Sequence, residues 1–384
     1  MTSIHILNDQ QLFREFTEKA NYDVHDRFLI KLIIQFITTV IQTKKCITDE
    51  SSLSTKLEKM LCYFSLHYSV EPDPTNKQFV KTSKKLAKGV YGQVYESGVI
   101  KGVNLVTKSQ FVFNEESIHE IFVNFVIINT LLLAKKTRHL VPSYGLFICQ
   151  HFTINHEDKY HKKEVVGICQ DNIHYDHTVS DRKPNVHLIQ ERIKGKSLGD
   201  MLSDGKLTLS QFKKIIRTIL DVMVVLETSP YKLYHNDLHS NNILVSQTLE
   251  PYIIDFGFSS FEIGHKHIFN NNHEPEYEYS KMHRIKSGAY DVMFLLDTCR
   301  RDAKDHSPIS EYCTNKLNLL FFNTYWQDND VYLSEKSITT KQYYLYDVLT
   351  KVESKLTLTN KTIVHHYNMK LLSIMTYKWL RSQL

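Results

Sequence analysis

Glycine and proline are scarce in this chain, 12 and 8 in 384 residues, and no tract of low complexity occurs. Both absences leave little room for long disordered linkers. There is no C-x-x-C pair; the six cysteines stand singly at 46, 62, 149, 169, 299 and 313. That scatter reads as reduced, intracellular thiols rather than a disulfide frame. The N-terminus, MTSIHILNDQQ, lacks a basic segment followed by an apolar one, so no secretory leader is expected. A bilayer-length apolar run is missing too. The strongest candidate, Phe28 to Ile41, is interrupted by Lys31 and Gln35 and bounded by Arg27, Lys44 and Lys45; it predicts a buried helix, not a membrane span. A net charge of +5, with 20 histidines uncounted, suits an acidic ligand but is too weak to indicate a nucleic-acid partner. What remains is ordinary: 42% hydrophobic and 23% charged residues, enough to bury a core. The length allows one large domain or two to three small ones.

The densest chemistry lies in residues 231–260, YKLYHNDLHSNNILVSQTLEPYIIDFGFSS. His235-Asn236-Asp237-Leu238 is followed by Asn242, then by the strand-like run Ile243-Leu244-Val245 and a turn at Glu250-Pro251. A second apolar run, Tyr252-Ile253-Ile254, ends in Asp255-Phe256-Gly257. The separation of Asp237 and Asp255 suits a loop, a short hairpin and a return to the same place. One such motif would carry little weight, but two at fitting separation, each beside an apolar run, make coincidence a poor account.

The pair H-x-D-L-x-x-x-N and D-F-G resembles the protein kinase family. Phosphoryl transfer asks the protein for an orienting carboxylate beside the attacking hydroxyl and oxygen ligands for magnesium at the phosphates. The resemblance implies that Asp237 accepts the hydroxyl proton, that Asn242 and Asp255 hold Mg2+, that His235 is structural, and that ATP is the co-substrate. It also implies an α+β, bilobal kinase-like fold. Residues 1–80 would be a helical N-terminal extension, 81–190 a small β-rich N-lobe with a His-rich insertion around 150–185, and 191–384 a helical C-lobe. The extension, with a further helix expected over 54–68, would be a cap or a docking surface for a partner.

Leu86 to Tyr95 resembles the family's glycine loop, G-x-G-x-x-G-x-V, with Ala87 in the first glycine's place followed by Gly89, Gly92 and Val94. The phosphate-anchoring lysine is either Lys101 or Lys108. Lys108 follows Leu105-Val106-Thr107, which resembles V-A-I-K, but pairing Val94 with Val106 would centre a turn on Ile100 and leave Val99 and Ile100 in a solvated loop. Pairing Val94 with Val99 puts Glu96-Ser97 in a two-residue turn, with Gly98 after it, and keeps the apolar pair in the strand. That register favours Lys101. Its partner would be Glu120, on a helix over 114–134 whose Phe122, Phe125, Val126 and Leu131 form an apolar face; Glu115 and Glu116 are alternatives nearer the helix start.

A strand over 144–149 leads into the histidine-rich insertion. Cys149, His151, His156, His161, Cys169, His174 and His177 have ligand-type side chains, but their spacing matches no zinc template. Val186 to Leu198 resembles the strand and hinge that join kinase lobes, with Gln190 at the back of the nucleotide pocket and the backbone of Glu191 and Ile193 at the adenine edge. Leu209–Thr228 has apolar residues at helical spacing, Phe212, Ile215, Ile216, Ile219, Leu220 and Val224, and reads as a core helix. Glu274-Pro275-Glu276-Tyr277 stands in loosely for A-P-E, with Glu276 structural though the alanine is missing. Asp291 resembles the aspartate that opens the central helix of the large lobe and holds the catalytic loop by hydrogen bonds. Residues 300–384 read as helices without a motif.

Common protein kinases carry a lysine two residues after the catalytic aspartate; this chain has His239. D-L-H-x-x-N resembles haspin-like and other divergent protein kinases, and also aminoglycoside and choline phosphotransferases. His239 would donate to the transferring phosphoryl group in the lysine's place, with a pH dependence lysine lacks, or else serve structurally. Three readings follow: an ATP- and Mg-dependent protein kinase acting on Ser/Thr hydroxyls of protein substrates, a small-molecule phosphotransferase, or a pseudokinase docking module. Scarce glycine with abundant Asn, Lys, Ile and Tyr also resembles kinases encoded by large DNA viruses. That likeness implies an intracellular, cytoplasmic location, in host cytoplasm or virion.

Overall fold

The computed structural model describes residues 29, 31–33, 35–36, 55–67, 85–88, 92–110, 115–149, 185–269, 288–317 and 377–384. The chain divides into two compact units, Met1–Ile193 and Lys194–Leu384. Both helices and sheets are present.

The first unit is built on a five-stranded antiparallel sheet of β1 (Lys85–Lys88), β2 (Gly92–Ile100), β3 (Val103–Gln110), β4 (Ser143–Cys149) and β5 (Asn185–Glu191), in the order β1-β2-β3-β5-β4. Helix α1 (Lys56–His67) lies against β4, where Gly145 admits the Phe64 ring; a Cβ there would sit only 3.0 Å from it. Met60 and Phe64 join Val103, Leu105, Tyr144 and Ile189 in one buried cluster. Leu29 and Ile33, in the run expected to be a buried helix, are helical and 1% exposed. No helix among the described residues is long and apolar enough to cross a membrane. After β3 come α2 (Glu115–Ile121), a π-helical stretch (Phe122–Ile128) and α3 (Asn129–Leu133). Every side chain of the π stretch is buried, and Leu131 of α3, the last residue of the expected apolar face, is buried too.

The β2–β3 hairpin corrects the expected register. Val94 faces Lys108, not Val99, and the turn falls at Lys101-Gly102. Both turn residues have positive φ, 47° and 77°, as a two-residue turn that follows the strand twist requires. Gly98, φ 85°, is no turn residue; it sits at a register shift between Glu96 and Gly98, a bulge that takes up one residue. Val99 and Ile100 still end the strand, as their apolar character requires, although Val99 is 62% exposed.

In the second unit β6 (Gly195–Ser197), β7 (Ile243–Ser246) and β8 (Pro251–Ile253) form a three-stranded sheet, and β9 (Ser260–Ile263) pairs with β10 (Lys266–Phe269). At Gly195 a Cβ would stand 2.0 Å from the Val245 carbonyl oxygen, so only glycine lets β6 close on β7. Helix α4 (Leu198–Ser203) is capped by Ser197, whose hydroxyl accepts from the Asp200 amide. Helix α5 (Leu209–Thr228) starts in a Thr208/Gln211 capping box, each side chain satisfying the other's amide. Its buried stripe is the expected one except at the end, where Val222, Met223 and Leu226 are buried and Val224 is half-exposed. α6 (Gly288–Asp302), α7 (Pro308–Leu317) and α8 (Tyr377–Gln383) complete the described helices.

Cys299 and Cys313 are buried free thiols, but Cys62 is disulfide-bonded. The expectation of uniformly reduced cysteines is corrected at that position.

Candidate active site

The loop over residues 235–242 is held by hydrogen bonds within the second unit. His235, fully buried, uses both ring nitrogens: Nε2 lies 2.9 Å from the Ile254 carbonyl, and Nδ1 accepts from the Asp237 amide at 3.3 Å. A ring that donates at Nε2 and accepts at Nδ1 is neutral. Burial agrees, pushing its pKa down to about 4. The same ring stands 4.7 Å from that of Phe256, which is 1% exposed. One imidazole thus fixes both the backbone of Asp237 and the residue preceding Asp255.

Asn242 closes the loop on itself. Its Nδ2 donates to the Asp237 carbonyl at 2.8 Å and to Asp237 Oδ2 at 3.2 Å, while its own carbonyl accepts from the Ile254 amide at 3.0 Å. Asp255 follows with φ 63°, a left-handed turn that ends the strand direction, and its side chain is exposed. Asn236, also left-handed at φ 62°, donates to the Phe258 carbonyl at 3.2 Å and to Ser260 Oγ at 3.0 Å. Asp237, Asn242 and Asp255 are therefore brought together by short-range bonds within the stretch where their motifs lie.

Burial and then the charge of Asp255 push the Asp237 carboxyl up to about 8, against the pull of the Asn242 amide. Its side chain remains 23% exposed, so it is reachable. Two carboxylates that crowd each other's charge, with the Asn242 Nδ2 committed and its Oδ1 left over, make an all-oxygen donor set that fits a small hard cation. Asn242 and Asp255 would hold magnesium, which would also offset the charge now raising Asp237. Among the described residues no group of three or more His, Cys, Asp or Glu side chains could hold a metal; a magnesium that keeps waters and phosphate oxygens does not need one.

His239 caps the short 3-10 turn Ser240–Asn242. Its Nδ1 accepts from the Asn241 amide at 3.2 Å, so in the neutral ring the proton sits on Nε2, 3.6 Å from Asp237 Oδ2. Burial lowers its pKa. The cap sets the tautomer, and the tautomer turns Nε2–H toward Asp237.

Asp291, in the first turn of α6, is fully buried. Its Oδ2 accepts from the His235 amide at 3.0 Å and from the Tyr377 hydroxyl. Burial raises its pKa to about 6, against the pull of the Tyr377 hydroxyl and of the His235, Asn236 and Leu238 amides. The expected tie between this aspartate and the loop is thus present in atomic detail.

In the first unit the expected Lys101–Glu120 pair is corrected. Lys101 occupies the hairpin turn, its Nζ 4.9 Å from the centroid of the Tyr63 ring. Lys108 Nζ lies 2.5 Å from Glu120 Oε1, with only 16% and 6% of the two side chains exposed. The turn is the reason: it falls at Lys101-Gly102 instead of Glu96-Ser97, which takes Lys101 out of the strand, and the one-residue bulge at Gly98 then sets Lys108 opposite Val94. Ala87, Val94, Lys108 and Leu188 then form one row across β1, β2, β3 and β5. Gly92 opens β2 opposite Gln110. Gln190 donates to Ser143 Oγ at 3.1 Å. The amide of Glu191 is spent on the Pro142 carbonyl at 3.1 Å, so it is not the group that meets a base edge; its side chain takes Lys56 at 2.6 Å and the Tyr144 hydroxyl at 2.5 Å. Ile193 is the last residue of the unit. Gly89, Glu276 and the histidine-rich insertion lie outside the described residues, as do the side chains of Glu115 and Glu116.

Sequence reasoning passed over Asn236 and Tyr377. The first was visible inside its motif; the second has no local signal, since only the fold brings residue 377 to residue 291.

Residues 153–293 match the family model described as the protein kinase domain. The match covers less than half of the chain. It includes Asp237, Asn242 and Asp255 but stops short of Lys108 and Glu120 on the N-terminal side. It supports a protein kinase-like family and, with it, phosphotransferase activity that uses ATP.

Proposed function

We propose that this protein is an ATP- and magnesium-dependent protein kinase that transfers the γ-phosphoryl group to serine or threonine hydroxyls of protein substrates. The observation that carries the reading is the closed loop in which Asn242 bonds both the backbone and the carboxylate of Asp237 while the Asp255 charge acts on that same carboxylate. Serine or threonine as acceptor rests on the family likeness alone.

Each residue has a stated task. Asp237 Oδ2 orients the substrate hydroxyl and takes its proton; Asn242 fixes that oxygen. His239 offers Nε2–H to the phosphoryl oxygens, where a neutral donor stabilises developing charge. Lys108, held by Glu120, anchors the nucleotide phosphates as a cation on a rigid strand. Magnesium, when bound at Asn242 and Asp255, supplies charge neutralisation to the phosphates.

The test is transfer of label from ATP in the presence of magnesium, to the protein itself and to generic acidic and basic proteins, beside Asp237→Asn. Loss of the orienting base should lower kcat by about a hundredfold or more. Label passing to soluble alcohols but never to protein would replace the proposal with a small-molecule phosphotransferase. Absence of ATP binding would leave a docking module.

A further inference from the structure

We propose that Tyr377, on the C-terminal helix α8, is a positioning residue for phosphoryl transfer, acting through Asp291 on the catalytic loop. The inference rests on the kinase reading for its kinetic consequence, but its geometry stands apart from it.

Tyr377 is wholly buried, and its hydroxyl donates to the same Asp291 Oδ2 that accepts the His235 amide. Its ring stacks on Tyr234, the residue before His235, with centroids 6.0 Å apart and planes at 27°. Tyr234 in turn exchanges backbone bonds with Ser260, at 2.8 and 2.9 Å. So one side chain reaches the catalytic loop twice, by a hydrogen bond through Asp291 and by direct ring contact at Tyr234. The slot is shaped for it: a Cβ at Gly288 would stand 2.7 to 2.9 Å from ring atoms of Tyr377. The helix that carries it is fastened independently. The Tyr377 amide donates to Glu227 Oε2 at 3.1 Å, Arg381 pairs with Asp221 on α5, and the Tyr312 hydroxyl donates to the Leu384 carbonyl at 2.9 Å.

A buried carboxylate tends to protonate, and a protonated Asp291 would grip the His235 amide less well. A hydroxyl donor on that carboxylate keeps it charged and aimed. The ring could have filled the slot without a hydroxyl; the hydroxyl is what binds α8 to the loop.

Tyr377→Phe keeps the ring and removes only this bond. We expect kcat for protein phosphorylation to fall about tenfold, as a lost bond to a buried charge implies, with KM for ATP changed less than about twofold. Amide exchange at His235 should quicken by about tenfold, since its acceptor is no longer fixed. In an Asp291→Asn background the same substitution should cost less than about twofold, because the partner it acts through is gone. Gly288→Ala, which crowds the ring but leaves the hydroxyl, should reproduce the kcat loss. Wild-type kcat together with unchanged exchange in Tyr377→Phe overturns the proposal, and so does a full, additive loss in the Asp291→Asn background. Asp237→Asn, run beside these, separates the two ideas. If wild type passes no label to protein the kinase reading has failed, and if Asp237→Asn leaves transfer intact the role given to Asp237 has failed, while in either case the exchange at His235 still judges the Tyr377 link.

Discussion

At the scale of single residues, the site is governed by which nitrogen or oxygen is already committed. His235 is the plainest case. With Nε2 spent on Ile254 and Nδ1 on the Asp237 amide, protonating the ring would break the bond that holds the Asp237 backbone. The folded ring is held at about 4 against an ordinary 6.5. Between those values the unfolded chain binds the proton and the folded chain does not, so stability present above the upper value is lost as pH falls toward the lower one. The full swing is on the order of 3 kcal/mol. His235→Gln, which cannot titrate, should therefore lose its disadvantage against wild type as pH falls through this window, read by urea denaturation at several pH values. The raised pKa values of Asp237 and Asp291 slope the other way but are shared by both proteins. A pH-independent difference would show that the ring is not held neutral. Most of this neighbourhood was legible, because Asp237, Asn242 and Asp255 lie in one short stretch and local bonds gather them. Lys108 was not the favoured lysine, because its place depends on whether the chain turns at Glu96-Ser97 or at Lys101-Gly102, and one sequence allows both.

At the scale of elements, periodicity was a good guide and turn chemistry a poor one. The apolar stripe of α5 recurs at helical spacing and almost all of it is buried. Beyond Gly92 at its start, the β2–β3 hairpin contains Gly98 and Gly102, and sequence alone does not say which is turn and which is bulge. Gly98 and Gly102 both have positive φ, 85° and 77°, and open space around the missing Cβ. Only the pairing of Ile100 with Val103 assigns the turn to Lys101-Gly102. Because nothing would clash, Gly102→Ala probes the backbone alone. It should destabilise the first unit by about 1 to 2 kcal/mol, the usual cost of placing a side chain in the left-handed region. Chemical denaturation would measure it. A neutral effect would mean that the turn is not where the Lys101 and Gly102 dihedrals put it.

At the scale of the whole molecule, the N-terminal extension is not a separable appendage as far as α1 is concerned. An external cap or docking helix would leave its apolar face for a partner. Instead Met60 and Phe64 are each 1% exposed and share a cluster with Val103 and Leu105 of β3, Tyr144 of β4 and Ile189 of β5. Lys56 adds an ion pair to Glu191 at the end of β5. Motif reading could not have seen this, since kinase-like signatures begin only at residue 86 and an amphipathic helix does not name the sheet it covers. The consequence is testable by removing residues 1–80. Burial of Met60 and Phe64 contributes about 3 to 6 kcal/mol, against a total stability of about 5 to 15 kcal/mol for a typical domain. The remaining chain would also expose Tyr144 and Leu105 to water. A protein beginning at residue 81 should therefore melt well below the full chain or aggregate, with amide protection lost across β3 and β5 before it is lost from α5 in the second unit. Phe64→Ala in the full-length protein should produce a milder form of the same pattern, about 3 to 5 kcal/mol. If the shortened chain melted within a degree or two of the original and kept protection in β3, α1 would be a cap after all, and its apolar face would have to be explained by something other than the core it now fills.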